Sequence, residues 1–145
     1  MQIKELGHVV LYVSELERSA NFYRDTLGFY EIERGDGVAV YSSGRTHHEL
    51  LLIEVGGLAR SKGQEPGLYH IGFKIGDKPE DLKSAYKELK ESGVEIVGTS
   101  DHGVTHSLYI KDPDGNELEL YADVSDAWKT DPGAVLARVR PLKLD

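Results

Sequence analysis

With six histidines and no cysteine among its 145 residues, the chain can hold a transition metal only through imidazole and carboxylate, without thiolate. Two histidines head matching segments: His8 opens "HVVLYV" and His70 opens "HIGFKI", each leading into the alternation of a half-buried strand. Glu119 stands between Leu118 and Leu120 in "LYIKDPDGNELELY", which reads as strand, tight turn and strand. Its carboxylate therefore points away from the face that the two leucines bury. A partly buried carboxylate needs a cation, since breaking a buried pair costs roughly 3–5 kcal/mol, and neither Lys74 nor Lys111 is an obvious one. Two neutral imidazoles and one carboxylate form the 2-His-1-carboxylate arrangement associated with non-haem Fe(II). Borderline imidazole nitrogens hold Fe(II) or Mn(II), a single carboxylate leaves the site one positive charge for an anionic substrate, and the open positions admit dioxygen beside it.

The elements that would position these side chains occur twice. "GHVVLYVSELERSANFYRDTLGFYEI" (7–32) and "YHIGFKIGDKPEDLKSAYKELKESGVEI" (69–96) share one order: a His at a strand head, a turn, an amphipathic helix, a Gly and another strand. Such internal similarity marks a duplicated supersecondary unit. Ser14 and Asp77 stand where helix N-caps are expected, and Gly28 and Gly93 where the chain leaves each helix in the left-handed conformation. Three further strands are expected per half, at about 29–34, 37–42 and 47–55, then 94–98, 105–111 and 116–122. Each half then reads βαβββ. The expected fold is α+β: two tandem βαβββ modules, about residues 3–55 and 68–122, whose sheets pair around a metal-binding cleft in one domain spanning 1–145. The glycine-rich stretch Gly56 to Gly67 is expected to be an exposed linker. Residues 123–145 fit neither repeat and are read as a strap over the cleft or a dimer contact.

Side-chain parity divides each strand into two sets. Val9, Leu11 and Val13 oppose His8, Val10 and Tyr12. Ile71, Phe73 and Ile75 oppose His70, Gly72 and Lys74. Leu108 and Ile110 oppose Ser107, Tyr109 and Lys111, and Leu118, Leu120 and Ala122 oppose Glu117, Glu119 and Tyr121. The apolar sets are expected to pack on the helices, leaving His8, His70, Tyr109 and Glu119 on the other faces.

The balance of 17 basic against 25 acidic side chains, a net charge of −8, disfavours attraction to a phosphate backbone. The N-terminal residues lack a secretory pattern and no apolar run spans a bilayer. The expected setting is cytoplasmic, with no membrane or nucleic-acid partner.

The duplication resembles the vicinal oxygen chelate superfamily over about residues 3–128. Within it, "HGVTHSLYIKDPDGNELE" (102–119) resembles the signature of the type I extradiol ring-cleavage (catechol 2,3-) dioxygenases: a His, a spacer, an apolar-Tyr pair, an acidic-Pro pair, a Gly and a terminal Glu. The matching residues are His102, Leu108-Tyr109, Asp112-Pro113, Gly115 and Glu119. Ser100, two residues before the signature His, departs from the usual pattern. The resemblance implies a glyoxalase-like fold with metal ligands His8, His70 and Glu119, and catalytic roles for His102 and Tyr109 beside the metal. It also implies an acid/base His at the end of the first module, placed by "RTHHELLLIE" at His48. Familiar members carry a second copy of this domain, and the chain resembles only the catalytic one. The implied activity is oxidative cleavage of a catechol-like aromatic diol with O2, on Fe(II) or else Mn(II), in a homo-oligomer.

His48 and Glu49 have opposite parity, so a regular strand turns only one of them toward a given face. Were Glu49 the one, it would supply a fourth ligand as in the lactoylglutathione lyases of the same superfamily. The competing expectations are therefore a metal-dependent lyase, isomerase or thiol transferase of the antibiotic-resistance type, or a metal-free small-molecule-binding module. His47 and His106 are read as exposed, and Trp128 as a packing anchor.

Overall fold

The computed structural model describes residues 4–57 and 68–145; the expected linker, beyond its first two glycines, lies outside the described residues. The first module runs β1 (Val9–Val13), α1 (Leu16–Asn21), β2 (Tyr30–Gly35), β3 (Val38–Ser42) and β4 (Leu50–Glu54). The second runs β5 (His70–Gly76), α2 (Pro79–Glu91), β6 (Ile96–Asp101), β7 (Thr105–Lys111) and β8 (Glu117–Asp123). Each is βαβββ, and the fold is α+β as the sequence led us to expect. The sheet orders are β1-β4-β3-β2 and β5-β8-β7-β6, the latter extended at β6 by a short strand, β9 (Arg140–Pro141). In both modules the strand preceding the helix lies parallel to the last strand, and the other neighbours within the module are antiparallel. The described residues form two compact units. One holds the first module together with the turn Pro113–Gly115; the other holds the remainder of the second module and the C-terminal stretch.

Parity decides which faces are buried. In β1, Leu11 and Val13 are buried while Val10 and Tyr12 are exposed. They join Leu16, Ala20 and Tyr23 of the helical segment and Ala39, Tyr41, Leu50 and Leu52 of β3 and β4 in the first core. The second core gathers Ile71, Leu82, Leu89, Leu108, Ile110, Leu118, Leu120 and Ala122. Each fully buried leucine contributes about 1.5–3 kcal/mol. Ile75 departs from its expected set and is 38% exposed, because the β5–β8 register slips between Lys74 and Gly76; a bulge there reverses the alternation.

The glycine stops hold: Gly28 and Gly93 follow the helical segments with φ of +77° and +73°, a conformation that costs an L side chain its Cβ clearance. The caps fall one residue later than expected. The N-cap positions are Glu15 and Lys78, not Ser14 and Asp77. Ser14 is drawn off by Asp114, which accepts from its backbone N–H at 3.1 Å and from its hydroxyl. Asp114 also accepts from Ser19 Oγ at 3.2 Å and pairs with Arg18 at 3.3 Å. At α2 the work of a cap is done from inside the helix, where Asp81 accepts from the N–H groups of Asp77 and Lys78 at 3.0 and 3.1 Å.

The C-terminal stretch lies along the second sheet. Beyond two short 3₁₀ turns, Ala127–Lys129 and Pro132–Leu136, β9 pairs with β6 so that Pro141 stands opposite Ser100 and Arg140 opposite Asp101. Thr99 Oγ1 donates to the Leu142 carbonyl at 2.7 Å, and Arg140 reaches Asp101 at 3.0 Å. Trp128 is not the packing anchor expected of it: it is 46% exposed and carries Lys129 over its ring.

Candidate metal centre

In the first module His8 precedes β1 and is exposed. Its ring lies against that of His48, centroids 4.6 Å apart, and Nδ1 of His48 meets Nδ1 of His47 at 2.6 Å. Partial burial, then the neighbouring imidazoles of His47 and His8, hold the His48 pKa below the ordinary histidine value, which keeps a neutral base at neutral pH. Strand β4 begins at Leu50, later than the expected 47, so His48 and Glu49 lie just ahead of it. Ladder hydrogen bonding nevertheless starts at Glu49: its N–H donates to the Tyr41 carbonyl at 3.0 Å and its carbonyl accepts from Val9 at 2.9 Å. The two side chains part as parity requires. The Glu49 carboxylate accepts from Ser43 N at 2.9 Å and Ser43 Oγ at 2.8 Å, with Arg45 Nε at 3.4 Å. Burial pushes its pKa up, but the Ser43 hydrogen bonds and the Arg45 charge outweigh this and leave it below the usual range.

In the second module three adjacent strands set the geometry. Parallel pairing places Gly72 opposite Glu119 and His70 opposite Glu117, so His70 and Glu119 share a face on a diagonal. Glu119 Oε2 accordingly reaches His70 Nε2 at 3.1 Å. On the other side Tyr109 is the direct cross-strand partner of Glu119, and its hydroxyl donates to Oε1 at 3.3 Å. His102 Nε2 lies 2.9 Å from the Tyr109 oxygen and 3.9 Å from Glu119 Oε1. Ser100, buried on β6, completes the group: its Oγ is 2.7 Å from His102 Nε2 and 3.1 Å from the Tyr109 oxygen. Burial is the main cause of a raised Tyr109 pKa, and the Glu119 charge adds to it, so the phenol stays protonated and able to donate.

Lys74 does not serve Glu119; it pairs with Asp123 at 2.7 Å and with Asp77. His47 is exposed as read, whereas His106 is largely covered, with 21% of its side chain accessible and Asp101 3.7 Å away. Sequence reasoning noticed Ser100 only as an oddity of the signature. Its even spacing from His102 in an alternating segment was the available sign that both could serve one face.

The donor chemistry suits a divalent ion. His70 Nε2 and Glu119 Oε2, 3.1 Å apart, are an imidazole nitrogen and a carboxylate oxygen, donor types that would hold a divalent first-row ion. His70 Nδ1 is buried without a hydrogen bond, and the Glu117 carboxylate lies 3.8 Å from it. A ligating histidine commonly directs its second nitrogen toward such a carboxylate, which fixes the tautomer. Among the described residues, no group of three His, Asp or Glu side chains is gathered closely enough to hold a metal. What the second module contains is a pair of adjacent donors with an organised polar surround.

The chain belongs to the Glyoxalase/Bleomycin resistance protein/Dioxygenase superfamily, whose family profile matches residues 5–120. Catechol-2,3-dioxygenase of Bacillus subtilis (strain 168) is 34% identical over 128 residues, covering 87% of this chain and 44% of that protein. Metallothiol transferase FosB of Staphylococcus epidermidis is 34% identical over 121 residues, covering 82% of this chain and 84% of that one. Among solved structures, a glyoxalase/dioxygenase from Nostoc punctiforme superposes with a TM-score of 0.68 at 21% identity, covering 84% of this chain and 92% of that one, a likeness of fold. The chain spans between 37% and 63% of the length of the five catechol and biphenyl-diol dioxygenases it resembles. Among the described residues no helix is long and apolar enough to cross a membrane.

Proposed function

We propose that this chain is a non-haem, metal-dependent extradiol dioxygenase that cleaves a catechol-like aromatic diol with O2. The observation that carries this reading is the organised set of proton-bearing groups beside Glu119: Tyr109 donating to its Oε1 at 3.3 Å, with His102 2.9 Å behind Tyr109. The ligands are His70 and Glu119, with His8, the counterpart of His70 in the sequence repeat, as the third; Fe(II) is the preferred ion and Mn(II) the alternative. When bound, such an ion lowers the pKa of a diol hydroxyl and brings an anionic substrate and O2 to adjacent positions.

The protein's own side chains supply the rest. His48, held neutral at neutral pH, accepts a proton from the diol and returns it as the ring opens, a contribution worth about 10²- to 10⁴-fold. Tyr109 and His102 direct hydrogen bonds toward charge that develops on oxygen. The engagement of Glu49 by Ser43 and Arg45 favours this reading over a lyase that would use Glu49 as a fourth ligand. A thiol transferase is the second reading, supported by the 84% of FosB that the match covers; it would turn over without oxygen.

The reading is tested by loading the protein anaerobically with Fe(II), adding a panel of substituted catechols, and admitting air. A coloured ring-opened product from at least one diol is expected. Iron-replete protein that opens no diol in the panel contradicts the assignment.

A further inference from the structure

The departure at Ser100 has a physical consequence. Ser100 Oγ, His102 Nε2 and the Tyr109 oxygen form a triangle with sides of 2.7, 3.1 and 2.9 Å, and Tyr109 alone of the three lies within hydrogen-bond distance of Glu119. Serine and phenol each bring one proton to the contacts they share, and the imidazole adds one only where Nε2 carries it. Glu119 as a carboxylate only accepts, so the Tyr109 proton goes to Oε1. The Tyr109 oxygen is then left as the acceptor of its 3.1 Å contact with Ser100 Oγ. If His102 carries its proton on Nδ1, Nε2 is an acceptor that competes for the proton of Ser100 or of Tyr109. If it carries the proton on Nε2, the shortest contact becomes a donation to Ser100, and Ser100 passes its own proton to Tyr109. Only that order gives both Ser100 contacts, at 2.7 and 3.1 Å, a proton while Tyr109 keeps its own for Glu119; with the proton on Nδ1, one of the two is left without.

We propose that Ser100 is a positioning residue that fixes His102 as the Nε2–H tautomer and orders a one-way chain, His102 to Ser100 to Tyr109 to Glu119. This role concerns the dioxygenase site and rests on that reading for its effect on turnover, though not for the hydrogen-bond order itself. Ser100 is suited to it by burial: it is 7% exposed, and β9 places Pro141 opposite it on β6. Water therefore has little access to stand in for the hydroxyl. Without the hydroxyl, Tyr109 and His102 face each other directly at 2.9 Å, and the phenol can turn its proton to Nε2 and abandon Glu119.

The test reads the imidazole nitrogens directly. In the full-length chain, labelled with ¹⁵N-histidine and freed of metal to avoid paramagnetic broadening, long-range ¹H–¹⁵N spectra report which nitrogen of His102 bears the proton. The wild-type protein and Ser100→Thr, which keeps the hydroxyl, are expected to show Nε2–H. Ser100→Ala is expected to move His102 toward Nδ1–H. A wild-type His102 already protonated on Nδ1, or a His102 unchanged in Ser100→Ala, overturns the proposal; the wild-type spectrum decides even if the alanine variant does not fold. With Fe(II) and a diol that the wild type opens, kcat in Ser100→Ala should fall about tenfold at constant KM, and Ser100→Thr should restore it; an unchanged kcat also counts against the role. Should the wild type open no diol, the dioxygenase reading fails while the tautomer spectra still judge Ser100.

Discussion

Glu119 illustrates how a single side chain takes its character from its neighbours across the sheet. His70 meets one oxygen and Tyr109 the other. Replacement of Glu119 by Gln should weaken retention of Fe(II) or Mn(II) by at least the ~10–100-fold lost when a mere supporting partner is removed, as read by metal analysis after dialysis. Glu49 should behave oppositely. Its carboxylate is already engaged by Ser43 and Arg45, so Glu49→Gln should leave metal content as it was, and a loss equal to that of Glu119→Gln would restore the four-ligand alternative. His48→Gln should retain metal and slow diol cleavage by roughly 10²- to 10⁴-fold. If His47→Gln is the damaging change and His48→Gln is silent, the acid/base role belongs to the neighbour.

At the scale of elements, the turn Pro113–Gly115 matters beyond joining two strands. The carboxylate of Asp114 is buried and accepts from Ser14 and Ser19, so Asp114→Ala strands buried donors and should cost about 2–3 kcal/mol, visible in chemical denaturation. On β2 and β3 a second cluster gives a pH signature. The Arg34 guanidinium, bonded to Glu31 at 2.6 and 3.0 Å, and the Tyr41 hydroxyl outweigh burial and hold the Glu31 carboxyl below its ordinary 4.5. Because the folded value is lowered, this stabilisation is present above the unfolded value and is lost as pH falls through about 4.5 and below. Glu31→Gln should flatten that part of a stability-against-pH curve; an unchanged slope would show the cluster to be without effect. Strand faces were legible because alternation is local: Leu118 and Leu120 alone told where Glu119 points. The caps were not, because Ser14 is claimed by a residue one hundred positions away. No local pattern encodes that contact. Nor did the tail announce that Arg140 and Pro141 would extend the second sheet at β6, since two residues carry no periodicity.

At the scale of the whole molecule, duplication is what makes the site readable. His8 and His70 are equivalents in the sequence repeat, and both modules fold as βαβββ. The repeat is the ground on which His8 is proposed as the third ligand; in its own module its ring lies against that of His48. What the duplication leaves open is chemical: dioxygenases and thiol transferases resemble the chain at equal identity, 34% in each case. The separation lies in whether oxygen is a substrate. The deciding measurement is oxygen uptake by anaerobically prepared Fe(II) protein already mixed with a catechol. The dioxygenase account predicts slow reaction of oxygen with the metal protein alone, and with diol present the consumption of one O2 for each ring opened, both atoms entering the product. A diol that binds as its anion while no oxygen is consumed across the whole catechol panel would contradict it.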